Sequence, residues 1–89
     1  MGQFYYITFS SSLENGQLIR DRIKQFDDYI NFLDCNWFIY SNESAQAIYS
    51  KISKGEFEND RILVMKVDFS NYLGRMQKDL WLWMKKDRQ

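Results

Sequence analysis

The chain has 89 residues, with twelve basic and twelve acidic side chains, no histidine, no proline and one cysteine. That length supports one hydrophobic core and no second; the single thiol excludes an intrachain disulfide, and without histidine the usual zinc and haem sites are out of reach. The neutral total is unevenly spread: residues 1–60 carry five basic and nine acidic side chains, net −4, and residues 61–89 carry seven and three, net +4, a split that favours self-complementarity over a dedicated phosphate-binding surface.

Gln3 to Phe9 (QFYYITF) is uncharged and rich in aromatic and β-branched residues, which predicts a central strand covered on at least one face. Ser10, Ser11 and Ser12 end it in a polar turn able to cap a helix. From Leu13 the period changes: Ile19, Ile23 and Phe26 make one apolar stripe, and the helix should start within 13–17 and end near Phe26. Asp27 and Asp28 follow, where a helix dipole repels them, and read as solvated. Tyr29–Leu33 and Trp37–Ser41 alternate like strands, with Asp34, Cys35 and Asn36 as a tight hairpin between them.

Asn42 or Ser44 can cap a second helix carrying Ala45, Ile48 and Ile52, with Gly55 placed to stop it. After a polar loop containing Glu56, Glu58 and Asp60, the run Arg61–Val67 reads as the last strand. Asp68–Gly74 connects it to a third helix over Arg75–Lys86, with Met76, Leu80, Trp83 and Met84 on one side and Trp81 turned away.

The order is β, α, β, β, α, β, α. It predicts an α+β, ferredoxin-like βαββαβ sandwich: one domain over 1–89, a four-stranded antiparallel sheet with two helices on one face, and an added C-terminal helix. The other sheet face must then be covered by the terminal helix, the hairpin aromatics or a second subunit. Seven Phe, six Tyr and three Trp supply more aromatic surface than so small a core hides, at about 150–250 Å² each, which favours a dimer interface or a binding face. No apolar run approaches the roughly 20 residues of a membrane span. The start carries no signal-like segment, so a reducing cytoplasm is the simplest setting.

With this order in hand, the chain resembles small bacterial and mobile-element proteins of the SinR-like and VapD-like kind, themselves distantly similar to the CRISPR adaptation endonuclease subunit. The likeness lies in the opening strand, in Leu33-Asp34-Cys35-Asn36-Trp37 at the hairpin and in Ser44-Ala45-Gln46 opening the second helix. Asn59 to Val64, entering the last strand, and Trp83-Met84-Lys85 complete it. It implies a homodimer formed through sheet edges or faces. It also implies, for some relatives, a nuclease in which an aspartate after an aromatic at the end of the first strand shares a divalent ion with its two-fold mate. Here the aromatic is Phe9 and the next residue is Ser10. A hydroxyl brings no charge to hold Mg²⁺, and a two-fold pair of them brings none either.

The remaining constellations are weighed by their chemistry. Ser10 has no histidine to act as its base, so a turn and cap outranks a nucleophile. Asp34 and Asn36 suit a hairpin for backbone reasons, and Asp34 is the residual metal-ligand candidate. Cys35 has no activating base or cation nearby in sequence. Trp81 with Lys78, Lys85, Lys86 and Arg88 has binding character, since aromatics among cations anchor protein interfaces or stack bases. Plain packing of Trp83 on the sheet, with a solvated basic end, ranks first for that helix. The expectation is a homodimeric, non-catalytic binding protein in a defence or mobile-element setting, needing no cofactor and no membrane, with another protein or RNA/DNA as partner. The alternative is a metal-dependent endoribonuclease or endodeoxyribonuclease drawing on Asp34 and Mg²⁺.

Overall fold

A computed structural model describes residues 2–55 and 59–88. The elements are β1 (Gln3–Ser10), α1 (Leu13–Ile23), β2 (Tyr29–Leu33), β3 (Asn36–Ser41), α2 (Ala45–Ile52), β4 (Arg61–Val67) and α3 (Lys78–Lys85). The strands form one sheet in the order β2-β3-β1-β4, with every neighbouring pair antiparallel. The protein is therefore α+β, a four-stranded antiparallel sheet with three helices. No helix among the described residues is long and apolar enough to cross a membrane.

Register decides which side chains share a face, because successive residues of a strand alternate sides. Ile7 lies opposite Trp37 on β3 and Val64 on β4, Tyr5 opposite Ile39, and Phe9 opposite Ile62. This set forms the inner face and packs with Ile19 and Ile23 of α1 and Ile48 and Ile52 of α2. The outer face holds the intervening residues: Phe4, Tyr6 and Thr8 of β1, Phe38 and Tyr40 of β3, Ile30 of β2, and Leu63, Met65 and Val67 of β4.

The two inner helices begin as their sequences predict. Ser12 and Ser44 each accept a bond from the backbone N–H three residues on, at Asn15 (3.2 Å) and Ala47 (3.1 Å), which satisfies one otherwise orphaned donor per helix. α1 ends at Ile23 and not at Phe26. The next turn tightens, with Gln25 N bonded to Arg22 O and Phe26 N to Ile23 O; these i→i−3 bonds still bring Phe26 against the core. Gly55, past the end of α2, has φ 118°, a value that favours glycine.

The hairpin loop is two residues, Asp34 and Cys35, so β3 begins one residue earlier than its sequence suggests. Asp34 takes φ 45°, a hand that matches the twist of paired strands and that Asp tolerates better than most residues. The Asn31 side-chain amide donates to the carbonyls of Asp34 (2.9 Å) and Asn36 (3.0 Å), bridging the register irregularity between Asn31 and Leu33. α3 starts at Lys78, three residues later than expected. Gln77 makes no cap bond with its side chain; its Nε2 donates instead to Phe32 O of β2 at 2.6 Å. Of the acidic loop before β4, Glu56 and Glu58 lie outside the described residues, and Asp60 accepts a bond from Asn15 Nδ2 at 2.8 Å.

Candidate functional site

The sites singled out from sequence fall in three places. Ser10 is exposed at the end of β1, opposite Arg61, while its neighbour Ser12 does the capping. Thr8 faces Asn36 across the β1–β3 ladder, so Ser10 and the Asp34 turn lie at the same end of the sheet on neighbouring strands. Asp34 is exposed. Asn36 Oδ1 accepts a bond from the Tyr6 hydroxyl. Among the described residues no three of His, Cys, Asp and Glu gather closely enough to hold a metal ion.

Cys35 has a cation beside it that sequence proximity did not reveal. Arg20 of α1 donates from Nη2 to the Cys35 Sγ at 3.4 Å and lies 5.4 Å from the centre of the Phe9 ring. The cysteine is half-buried against the core.

The second place is the outer face. Phe4 lies 4.5 Å from Phe69, 4.9 Å from Tyr40 and 5.7 Å from Trp83, centroid to centroid. Phe38 stacks on Phe32 at 4.6 Å and meets Phe69 edge-on. α3 and the segment before it thus close this half of the face with rings.

A charged node fastens the cover. Trp83 Nε1 donates to Asp28 Oδ1 at 2.8 Å, Arg88 Nε donates to Asp28 Oδ2 at 2.6 Å, and Lys86 Nζ lies 3.6 Å from the same carboxylate. The Arg88 guanidinium also lies over Trp83, Phe4 and Tyr40, at 4.3, 5.0 and 5.2 Å, and donates to the carbonyls of Trp83 and Lys86. Burial raises the Asp28 pKa, but the Arg88 hydrogen bond and charge, the Lys86 charge and the Trp83 N–H together outweigh it, holding the carboxyl below its ordinary 3.8.

Asp28 is therefore not the solvated carboxylate that its sequence position suggests, and the chain end is not a free basic tail. Arg88, with its side chain 7% exposed, is turned inward, and Lys86 is shared with Asp28. Nothing local in the sequence signals this pairing, because Asp28 is 55 residues from Trp83 and 60 from Arg88.

The cover is incomplete. Towards the other end of the outer face Leu63 and Met65 remain 48% and 47% exposed, beside half-buried Tyr6 and Thr8. Both belong to β4, which among the described residues pairs only with β1 and so leaves a sheet edge.

The third place is the outward side of α3. Trp81 is half-buried and stacks nearly parallel on Tyr72, 5.7 Å apart at 15°. Lys78 and Lys85 are exposed. Elsewhere, a recess of about 750 Å³ runs between the end of α1, the end of β3 and α2. Four of its charged side chains have partners within the chain: Lys51 pairs with Glu43 at 2.6 Å, Asp28 belongs to the Arg88 node, and Arg22 donates to the carbonyls of Ile52 and Lys54.

Comparison with protein-family models, with curated proteins and with solved structures finds no match.

Proposed function

We propose that the chain is a homodimeric binding protein, acting by contact and not by catalysis on a protein or nucleic-acid partner, in a bacterial defence or mobile-element setting. The proposal includes a ferredoxin-like βαββαβ topology with an added C-terminal helix. In its support, the element order matches, and the order β2-β3-β1-β4 puts the second hairpin strand between the first two strands of the chain.

The observation that carries the reading is the bare half of the outer face. Leu63 and Met65 are half-exposed on an edge strand, next to Tyr6 and Thr8. A two-fold contact sets a patch against its own copy, so it tolerates neutral side chains and penalises like charges; these four residues are all uncharged. The Ser10 hydroxyl favours binding over metal-dependent hydrolysis, since a hard cation requires carboxylate oxygen at such a position.

Sedimentation velocity at micromolar concentration tests the dimer. The parent protein should sediment as a dimer, and Leu63→Glu with Met65→Glu, which sets like charges against each other across the two-fold, should give a folded monomer. A parent that is monomeric throughout ends this reading. Incubation with labelled RNA and DNA plus Mg²⁺ or Mn²⁺ should leave both intact. Metal-dependent cleavage that disappears in Asp34→Ala would put the nuclease in its place.

A further inference from the structure

The outward stripe of α3 carries Lys78, Trp81, Leu82 and Lys85, at i, i+3, i+4 and i+7, which is one side of a helix. The opposite side carries Leu80, buried, and Trp83, packed on the sheet. So this helix is apolar on both sides, and the outward one has no cover: Leu82 is 61% exposed and the neighbouring Leu73 is wholly exposed. Tyr72, Leu73, Gly74, Trp81 and Lys85 line a shallow hollow of about 260 Å³. A Cβ on Gly74 would meet only the rim of Trp81, at 4.0 Å, so the floor is open. Lys85 lines the hollow, Lys78 lies one turn before Trp81 on the same stripe and Arg75 follows Gly74 in the chain, and none of the three forms an ion pair among the described residues.

From this arrangement we infer that the Tyr72–Trp81 platform is a binding site for single-stranded nucleic acid. One base stacks in the hollow, and the adjacent phosphates meet Lys85, Lys78 and Arg75. The hollow is smaller than the roughly 300–1,000 Å³ of a small-molecule pocket, which suits one flat ring system and not a whole metabolite. A parallel aromatic pair offers a base its π-face, and lysines at both ends of the stripe follow a backbone of phosphates. The strand must be single, because bases in a duplex hide their faces in the stack. A second copy of this chain is disfavoured as the two-fold occupant, since the contact would set the exposed lysines of one copy against those of the other. The site stands on different residues from the dimer surface and does not depend on it.

Fluorescence anisotropy with short labelled oligo(dT) and oligo(U) reads the binding. It should be saturable at low salt and weaken with a log–log slope of about −2, as three phosphate contacts on a single strand require. Trp81→Ala should weaken it at least about five-fold and Trp81→Phe should restore most of it. Lys85→Gln should lower the slope by about 0.7, and Lys24→Gln, on α1's far end, should change nothing. If Trp81→Ala loses its circular-dichroism signal, the double variant Lys78→Gln/Lys85→Gln decides in its place. Three results would overturn the site: no saturable binding in low salt, undiminished affinity in a folded Trp81→Ala protein, or binding to phosphatidylserine vesicles with none to either oligonucleotide. None of these outcomes bears on the dimer, which sedimentation reads separately.

Discussion

Between the inner face of the sheet and the two serine-capped helices, six isoleucines (Ile7 and Ile39 of the sheet, Ile19, Ile23, Ile48 and Ile52 of the helices) are wholly buried. On the outer face the fill is aromatic, the covering helix has no side-chain cap, and its polar attachments are the Gln77 bond to β2 at one end and the Asp28 carboxylate at the other. Branched aliphatics interlock and gain by excluding water in all directions. Rings and a guanidinium gain as much from orientation, and the guanidinium requires a counter-charge to remain buried. The inner layer is thus a core on which the whole domain depends. The outer layer is a cover that can loosen while the core holds.

The strongest test of that contrast is a cavity on each side. Ile48→Ala removes a fully buried side chain from the inner layer and should cost about 2–5 kcal/mol. Against a total of roughly 5–15 kcal/mol for a domain, that threatens the fold, and urea denaturation should show one cooperative transition at a much lower midpoint. Asp28→Ala strikes the outer layer, stranding a guanidinium that is 7% exposed; its expected cost is about 2–3 kcal/mol, given bonds to charged groups and the incomplete burial of the pair. Its effect should be local. Hydrogen exchange should speed up in α3 while α1 and α2 stay protected. Equal acceleration in all three helices would mean that the two layers unfold as one.

The inner layer was the legible one, for a physical reason. Its information is periodic: Ile48 and Ile52 one helical turn apart, and Tyr5, Ile7 and Phe9 alternating along a strand. A helix through Ala45, Ile48 and Ile52 and a strand over Arg61–Val67 are therefore legible, and the structure has α2 at Ala45–Ile52 and β4 at Arg61–Val67. The outer layer depends on contacts between residues far apart in the chain. Arg88 looked like part of a basic surface with Lys78 and Lys85, and only the fold shows it under three rings. α3 begins late because Gln77 spends its side chain on Phe32 O, a bond between residues 45 apart in sequence. Of the binding residues expected from sequence, Trp81, Lys78 and Lys85 share one outward stripe, whereas Arg88 is internal and Lys86 leans to Asp28.

Acid should separate the layers more gently than mutation. The folded Asp28 carboxyl is held below its ordinary 3.8. Its contribution is therefore complete above the unfolded value and is lost as pH falls through the folded one. The protection factors of α3 amides, measured against the intrinsic exchange rate at each pH, should be constant above about pH 5 and should fall below about pH 4. Asp28→Asn should remove that fall, because the amide cannot be protonated in this range. A fall of the same size in Asp28→Asn would assign the acid sensitivity to other carboxylates.

The smallest effect lies where the inner layer is tightest. Gly16, buried within α1, faces the end of β1: an added Cβ would meet Ser11 Oγ at 3.1 Å, Arg20 Nη1 at 3.3 Å and Phe9 Cε2 at 3.7 Å. Alanine in a helix interior gains about 0.5–1 kcal/mol over glycine, and the two closest contacts are side-chain tips. Arg20, however, is engaged with both Phe9 and Cys35, so moving it carries a cost of its own. Gly16→Ala should then change stability by less than about 1 kcal/mol, and displaced Arg20 should leave Cys35 more open to thiol labelling. A loss well beyond that, with labelling unchanged, would mean that Arg20 is fixed in place, and that the inner layer contains a rigid polar contact as well as interlocked isoleucines.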